Sequence, residues 1–216
     1  MTSNQPVVSV DAVALRHTDD RVGVVLVERQ YAPFRHRRAL PGVMMLSGES
    51  ARDAALRGLR EKCGLTAESV RWQTAGRYND ERNRDPRGAT ISLTQIVVLH
   101  PAANGRDSTW TIPLDELPKL PFAHNQIIAD AVADVRARFW EDTRIIPAFL
   151  GDTFSTLDVA GLAEQLELEA NPANLARRLG SMYADTGRTQ PAGRGRPARV
   201  WAGTPAIPEY PGAGDE

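Results

Sequence analysis

The apolar positions of this chain gather into short valine-rich runs before they settle into helical spacing. Val7 to Leu15 and Val22 to Glu28 are two such runs and read as strands. Between them His17 to Arg21 is polar, with two aspartates, and supplies a turn. Tyr31 to Leu40 is basic and lacks a period, so it reads as a loop. Ser50 stands where a helix N-cap belongs, and Ala51 to Cys63 repeats apolar residues at helical spacing. Gly64 then suits the left-handed residue that ends a helix. Val70 to Tyr78 and Ala89 to His100 read as further strands, with a charged loop at Asn79 to Gly88 between them. Pro113 to Leu120 is a short proline-bounded segment. A second long helix is expected over His124 to Trp140, where Ile127, Ile128, Ala131, Val135 and Phe139 share one side. Strands mixed with two helices predict a layered α/β unit ending near residue 140.

The pattern then changes. Ile145 to Leu150 reads as an apolar connector. Ser155 or Thr156 caps a helix from Leu157 to about Leu168. Asn171-Pro172 is a strong start signal for another helix reaching about Tyr183, because Asn caps well and Pro suits the first turn. Thr189 to Trp201 ends in Arg199-Val200-Trp201 and reads as a basic hairpin. Helix, turn, helix and basic hairpin is the order of a winged helix. The expected division is therefore a sensing domain over 1–141, a winged helix-turn-helix domain over 142–206, and a Gly- and Pro-rich disordered tail over 207–216. No internal repeat is present.

Composition narrows the classes without choosing among them. The 216 residues are 42% hydrophobic and 25% charged, ordinary for a globular protein. Net charge is -1, so any nucleic-acid surface must be local. No apolar run approaches the roughly 18 residues that span a bilayer, and Met1 to Pro6 is polar with no signal-like segment behind it. A cytoplasmic protein without a membrane partner is expected. The single cysteine, Cys63, excludes an intrachain disulfide and a cysteine zinc site; it reads as a small buried residue.

Chemistry enters at Leu40-Pro41-Gly42-Val43 through Gly64-Leu65. Glu49, Arg57, Leu59, Glu61, Gly64 and Leu65 fall in the register of the Nudix box, and the segment resembles that family over more than twenty residues. The resemblance implies an α/β/α sandwich with a mixed sheet. In active members, carboxylates on this helix hold divalent cations beside a pyrophosphate, offsetting its charge and activating water. Three positions depart from the pattern. Val43 replaces a Gly, Gly58 replaces a Glu, and Lys62 replaces the last Glu. Of the three helix carboxylates, Glu61 alone is kept, beside a cation. No catalytic set and no metal site are expected. Lys62 can meet a ligand phosphate directly, and Glu49 with Arg57 can form a structural ion pair between loop and helix. His124 reads as a helix cap or surface residue, and His36 as part of a basic loop with no metal partners.

Arg29, Arg35, Arg37 and Arg38 surround the approach to Leu40-Pro41-Gly42, and Arg84-Asp85-Pro86-Arg87-Gly88 makes a second charged loop. Arginine clusters beside such a fold suit a phosphate ligand. The Asp85-Pro86-Arg87-Gly88 run resembles the loop of the Nudix-related regulators of NAD metabolism, the NrtR family. That resemblance implies a homodimer in which a Nudix-like domain binds ADP-ribose or a related NAD metabolite and a winged helix binds operator DNA. Carried onto this chain, the ligand residues are Arg29, Arg38, Glu49, Glu61, Lys62, Asp85 and Arg87. At Arg38 the family usually has a Trp, a departure that bears on the ligand contacts. No cofactor is required.

From Asn171 to Gly203 six arginines face one aspartate, Asp185, within a near-neutral chain. That is the charge footprint of a phosphate-binding face. Asn174, Arg177 and Arg178 lie in the first turns of the second helix, where a recognition helix meets the major groove. Gly193 to Arg199 would be the wing, with Arg194, Arg196 and Arg199 reaching phosphates and Arg188 beside them. The NrtR family carries a similar Gly-Arg-Pro-Ala run. The leading expectation is a ligand-responsive repressor of NAD synthesis or salvage genes, acting on a palindromic site. The alternatives are an active ADP-ribose or nucleotide pyrophosphatase with a C-terminal extension, and a binding module without DNA function.

Overall fold

The computed structural model describes residues 5–191 and 197–203. Its first half is a seven-stranded mixed sheet. Strands β1 (Val7–Thr18) and β2 (Arg21–Glu28) form a hairpin closed by Asp19 and Asp20, both in the left-handed region. Two successive left-handed residues match the twist of the paired strands, and Asp tolerates that conformation. A short β3 (Arg38–Ala39) extends β2, while β4 (Gly42–Met44) pairs with the start of β1. Strands β5 (Val70–Asn79) and β6 (Thr90–Leu99) form a second antiparallel pair, and β6 runs parallel to β1. Strand β7 (Thr109–Pro113) completes the sheet along β2.

Both faces of this sheet are covered, and the alternation along each strand shows it. Val10, Ala12 and Ala14 point to one side with Val25, Val27, Val97 and Leu99. Val13 and Leu15 point to the other with Val24, Leu26, Ile96 and Val98. That is why the strands read as unbroken valine runs rather than alternating ones. The first side is covered by α1 (Ala51–Gly58), which opens into a wider π turn over Leu59–Cys63. Ser50 caps α1 by accepting from the Asp53 N–H, and Gly64 ends the turn at φ 72°. Cys63 is buried there, and burial pushes its thiol up to about 12, so it packs as an apolar residue. The second side is covered by α2 (His124–Arg138).

The C-terminal elements follow the winged-helix order. They are α3 (Ile145–Leu150), β8 (Thr153–Ser155), α4 (Thr156–Gln165), α5 (Pro172–Met182), β9 (Ala184–Gln190) and β10 (Ala198–Ala202). The three strands form a sheet in the order β8-β10-β9. Ser155 and Asp158 make a reciprocal capping box at the start of α4. Trp201, 1% exposed, donates its Nε1–H to Thr156 Oγ1 at 3.0 Å and lies against Gly180 of α5. One side chain thus ties the last strand to both helices.

Three expectations are corrected here and one element is added. Ile145 to Leu150 is a helix rather than a connector; its Pro147 sits in the first turn, where a missing N–H costs no intrahelical bond. The hairpin starts at Ala184 instead of Thr189. Strand β7 is the added element, in a stretch before Pro113 for which no element was expected. Strand β3 lies in what reads as loop.

A single buried cluster runs across residue 141. It joins Leu15, Trp72 and Ile96 of the large sheet to Phe139, Ile146, Phe149, Leu162, Leu179 and Trp201. Polar contacts reinforce that seam. Arg136 pairs with Glu167 at 2.6 Å, Arg71 with Asp152, and Trp72 Nε1–H donates to Asp142 at 3.0 Å. The Tyr183 hydroxyl donates to the Thr143 carbonyl at 3.0 Å.

Candidate functional site

A cleft of about 580 Å³ opens where β1, β4, the π turn and the loop before β6 converge. Its wall carries five cationic side chains, Arg29, Arg57, Lys62, Arg84 and Arg87, against three carboxylates, Asp11, Glu61 and Asp85. A pocket with both polar and apolar walls and a cationic excess suits a phosphorylated ligand.

The loop before α1, α1 itself and the π turn carry the residues of the Nudix box. Glu49 is held away from the cleft by Arg57, with contacts of 2.7 and 2.9 Å, and by the Leu46 N–H at 3.1 Å. The Arg57 guanidinium holds the Glu49 carboxyl down at about 2. Glu61 lines the cleft, but its carboxylate lies 3.6 Å from Arg57. Gly58 is buried, and a Cβ placed there would land 3.4 and 3.6 Å from the two methyls of Val43. The two substitutions in the motif therefore face each other, with a Cβ at 58 in van der Waals contact with the valine. Among the described residues no three His, Cys, Asp or Glu side chains converge as a metal set. The donor set does not fit the divalent cation of active Nudix proteins. The motif keeps one helix carboxylate, Glu61, paired with Arg57 and flanked by Lys62, and Asp11 and Asp85 do not converge with it.

The opposite wall holds Asp85 and Arg87. Asp85 is buried and accepts from the Arg87 guanidinium at 2.6 Å and from its backbone N–H at 3.0 Å. These bonds hold the Asp85 carboxyl below its ordinary range. Arg29 lies 4.6 Å over the Phe122 ring and Arg87 5.7 Å from it, so one aromatic ring carries two guanidinium groups. Arg38 stands apart. It stacks 4.9 Å over Trp110 and is not part of the cleft wall.

Sequence reasoning missed the floor. Arg84, read as part of a charged loop suited to phosphate, is buried. It donates to the Phe122 carbonyl at 3.2 Å and to Ser9 Oγ at 3.2 Å, and lies 3.8 Å from Asp11. Asp11 accepts from Ser92 Oγ and packs so close to Gly42 that a Cβ there would collide with its carboxylate. That contact gives Gly42 its reason. His124, read as a cap or surface residue, is 3% exposed and accepts from the Leu40 N–H through Nδ1 at 3.0 Å. Phe122 and Ala123 enter α2 in left-handed conformations that turn His124 inward. The fragment Asp-Ala-Val-Ala in β1, a carboxylate inside an apolar run, was the one available sequence signal.

Burial drives the His124 ring down to about 4 from 6.5; Asp11 opposes this, and Arg84 and Arg29 add to it. The unfolded chain therefore takes up this proton first as pH falls. The corresponding stability is present above 6.5 and is lost as pH drops toward 4. Between pH 7 and 5 this amounts to about 2 kcal/mol. We expect His124→Asn to reduce the pH 7-to-5 stability loss by about that amount in urea titrations. An unchanged loss would show that other groups set it.

The basic residues of the winged helix divide into three groups. Asn174 and Arg177 stand exposed on α5, bonded to each other at 3.1 Å, and Arg188 is exposed on β9. Arg199 lies 3.5 Å from Asp185, and Arg178 stacks 4.3 Å over Trp140 just beyond α2. Arg194 and Arg196 lie outside the described residues.

Comparison with known proteins agrees with this geometry. The NUDIX domain model matches residues 5–134, and the chain belongs to the Nudix family. Within that family, the ADP-ribose pyrophosphatase of Methanocaldococcus jannaschii is 32% identical over 130 residues, covering 58% of this chain and 72% of that protein. The two-part fold is that of NrtR. The structure of Shewanella oneidensis NrtR complexed with a 27mer DNA matches with a TM-score of 0.75 and 23% identity, covering 92% of this chain and 94% of that one. The NUDIX domain of the same NrtR complexed with ADP ribose matches with a TM-score of 0.53 and 26% identity, covering 61% of this chain and 89% of that one. No helix among the described residues is long and apolar enough to cross a membrane.

Proposed function

We propose that this chain is a transcriptional repressor of NAD synthesis or salvage genes. It binds palindromic DNA as a homodimer through the winged helix, and responds to ADP-ribose or a related metabolite held in the Nudix cleft. The observation that carries this reading is the joining of two features in one chain: a cationic cleft without the carboxylates for metal, and a winged helix with exposed basic residues on α5 and β9. The likeness to the NUDIX domain of NrtR complexed with ADP ribose, and to NrtR complexed with a 27mer DNA, supports it. Residues 1–141 serve as sensor and 142–206 as DNA-binding domain. Arg29, Lys62 and Arg87 meet the ligand phosphates, with Asp85 fixing Arg87. Asn174, Arg177, Arg188 and Arg199 face DNA, and Arg194 and Arg196 belong to the same wing. Arg178 instead anchors α5 to Trp140.

Helix α2 supplies a physical route between the two tasks. His124 at its start forms part of the cleft, while Arg136 and the following Trp140 hold the winged helix. Coupling requires that ligand bind the DNA-competent and released states with different affinity. A rigid helix in contact with both sites can carry that difference.

The likeness to an ADP-ribose pyrophosphatase favours a second reading, hydrolysis. The two separate on one assay. With ADP-ribose and Mg²⁺ the parent protein should bind ligand and return it intact, and Glu61→Gln should change neither result by more than twofold. Mg²⁺-dependent AMP release that disappears in Glu61→Gln would establish the enzyme instead.

A further inference from the structure

Two polar atoms face each other at the floor of the cleft without bonding. His124 Nε2 and Asp11 Oδ1 are 3.8 Å apart, on residues 3% and 6% exposed that both line the cavity. The His124 tautomer is fixed by its other nitrogen. Because Nδ1 accepts from the Leu40 N–H, the ring proton sits on Nε2, which is therefore a donor. The Asp11 carboxylate uses Oδ2 to accept from Ser92, and among the described residues Oδ1 has no hydrogen-bond donor. That oxygen packs against Gly42, in the place a Cβ would take. Neither atom is among the fully buried unpartnered ones, so both are within reach of a group held in the cleft.

The chemistry of the pair selects that group. It must accept from Nε2–H and donate to Oδ1 through one atom. A phosphate oxygen at neutral pH and a carbonyl oxygen accept but cannot donate. A hydroxyl does both. Arg29, Lys62 and Arg87 line the same cleft and remain for phosphate. We propose that Asp11 and His124 form a sugar-recognition site that binds one hydroxyl of a ribose in the ligand and sets the cleft's preference for ribosyl over deoxyribosyl nucleotides. This rests on the reading of the cleft as a site for an ADP-ribose-like molecule.

The test is calorimetric titration of the full chain with ADP-ribose and with analogues lacking hydroxyls on one ribose or the other. One analogue should bind about 10- to 100-fold more weakly than ADP-ribose, the cost of leaving a buried polar pair unpaired. In His124→Asn the amide oxygen can still accept from Leu40, but the donor to the cleft is gone. There the penalty for that same analogue should shrink to within twofold. Asp11→Asn, which keeps the shape but replaces the acceptor with an amide, should do likewise. Thermal unfolding confirms that each variant is folded, and the parent protein's analogue series decides the matter if neither is. Equal binding of all three ligands by the parent would overturn the proposal and leave the pair as a water-bridged structural contact, with the cleft reading intact. Failure of all three to bind would remove the cleft reading and this proposal together.

Discussion

Replacing Arg177 and Arg188 together with alanine should weaken binding to the cognate duplex by about 10- to 100-fold, while ADP-ribose binding stays within twofold of the parent. Both side chains are exposed, one on α5 and one on β9, and neither lines the cleft. Each removed phosphate contact also lowers the steepness with which affinity falls as salt rises, by about one per contact. Arg178→Ala should behave differently. Its guanidinium lies on Trp140, so its loss should weaken the seam and leave the salt dependence nearly unchanged. Fluorescence anisotropy across a salt series measures all three quantities. Equal salt slopes for the parent and the double variant would place the DNA surface elsewhere.

The second large effect concerns stability. Trp201→Ala should cost about 3–5 kcal/mol in chemical denaturation. The ring is buried among α4, α5 and the small sheet, and its Nε1–H bond to Thr156 would be lost with it. Because the buried cluster crosses residue 141, the loss should appear as one shifted transition with unchanged denaturant sensitivity. Two resolved transitions would mean that the winged helix unfolds separately from the large sheet. The shared core also bears on truncation. Removing residues 145–216 strips Phe149, Leu162 and Trp201 from the cluster that covers Leu15 and Ile96, so point substitutions are the cleaner way to separate sensing from DNA binding.

Much of this was legible in the sequence where the information is local. The Nudix register from Glu49 to Leu65 is contiguous, and its departures at Val43, Gly58 and Lys62 can be read residue by residue. The same holds for Ser50 and Gly64, since caps depend on their immediate neighbours. What escaped depends on distant partners. Strand β7 is short and half-buried, and exists because β2 offers it an edge. His124 becomes part of the floor because two left-handed residues turn it inward and the Leu40 backbone meets it from 84 residues away. Arg84 reads as a loop charge until Asp11, Ser9 and the Phe122 carbonyl are brought around it. Arg38 shows the reverse: its sequence position lies beside the motif, yet Trp110 takes it out of the cleft. The mutual packing of Val43 on Gly58 was likewise invisible, because two separate departures from a motif reveal their relation only in space.

The central claim is that one chain reads a metabolite and reports it to DNA. The most direct test is anisotropy of a labelled duplex from the promoter of an NAD synthesis or salvage gene of the same genome, titrated with the whole chain with and without saturating ADP-ribose. ADP-ribose should change the dissociation constant at least about fivefold, the lower end of typical coupling between two sites, and be recovered uncleaved. A duplex bound equally well with and without the ligand, or not bound at all, would contradict the account.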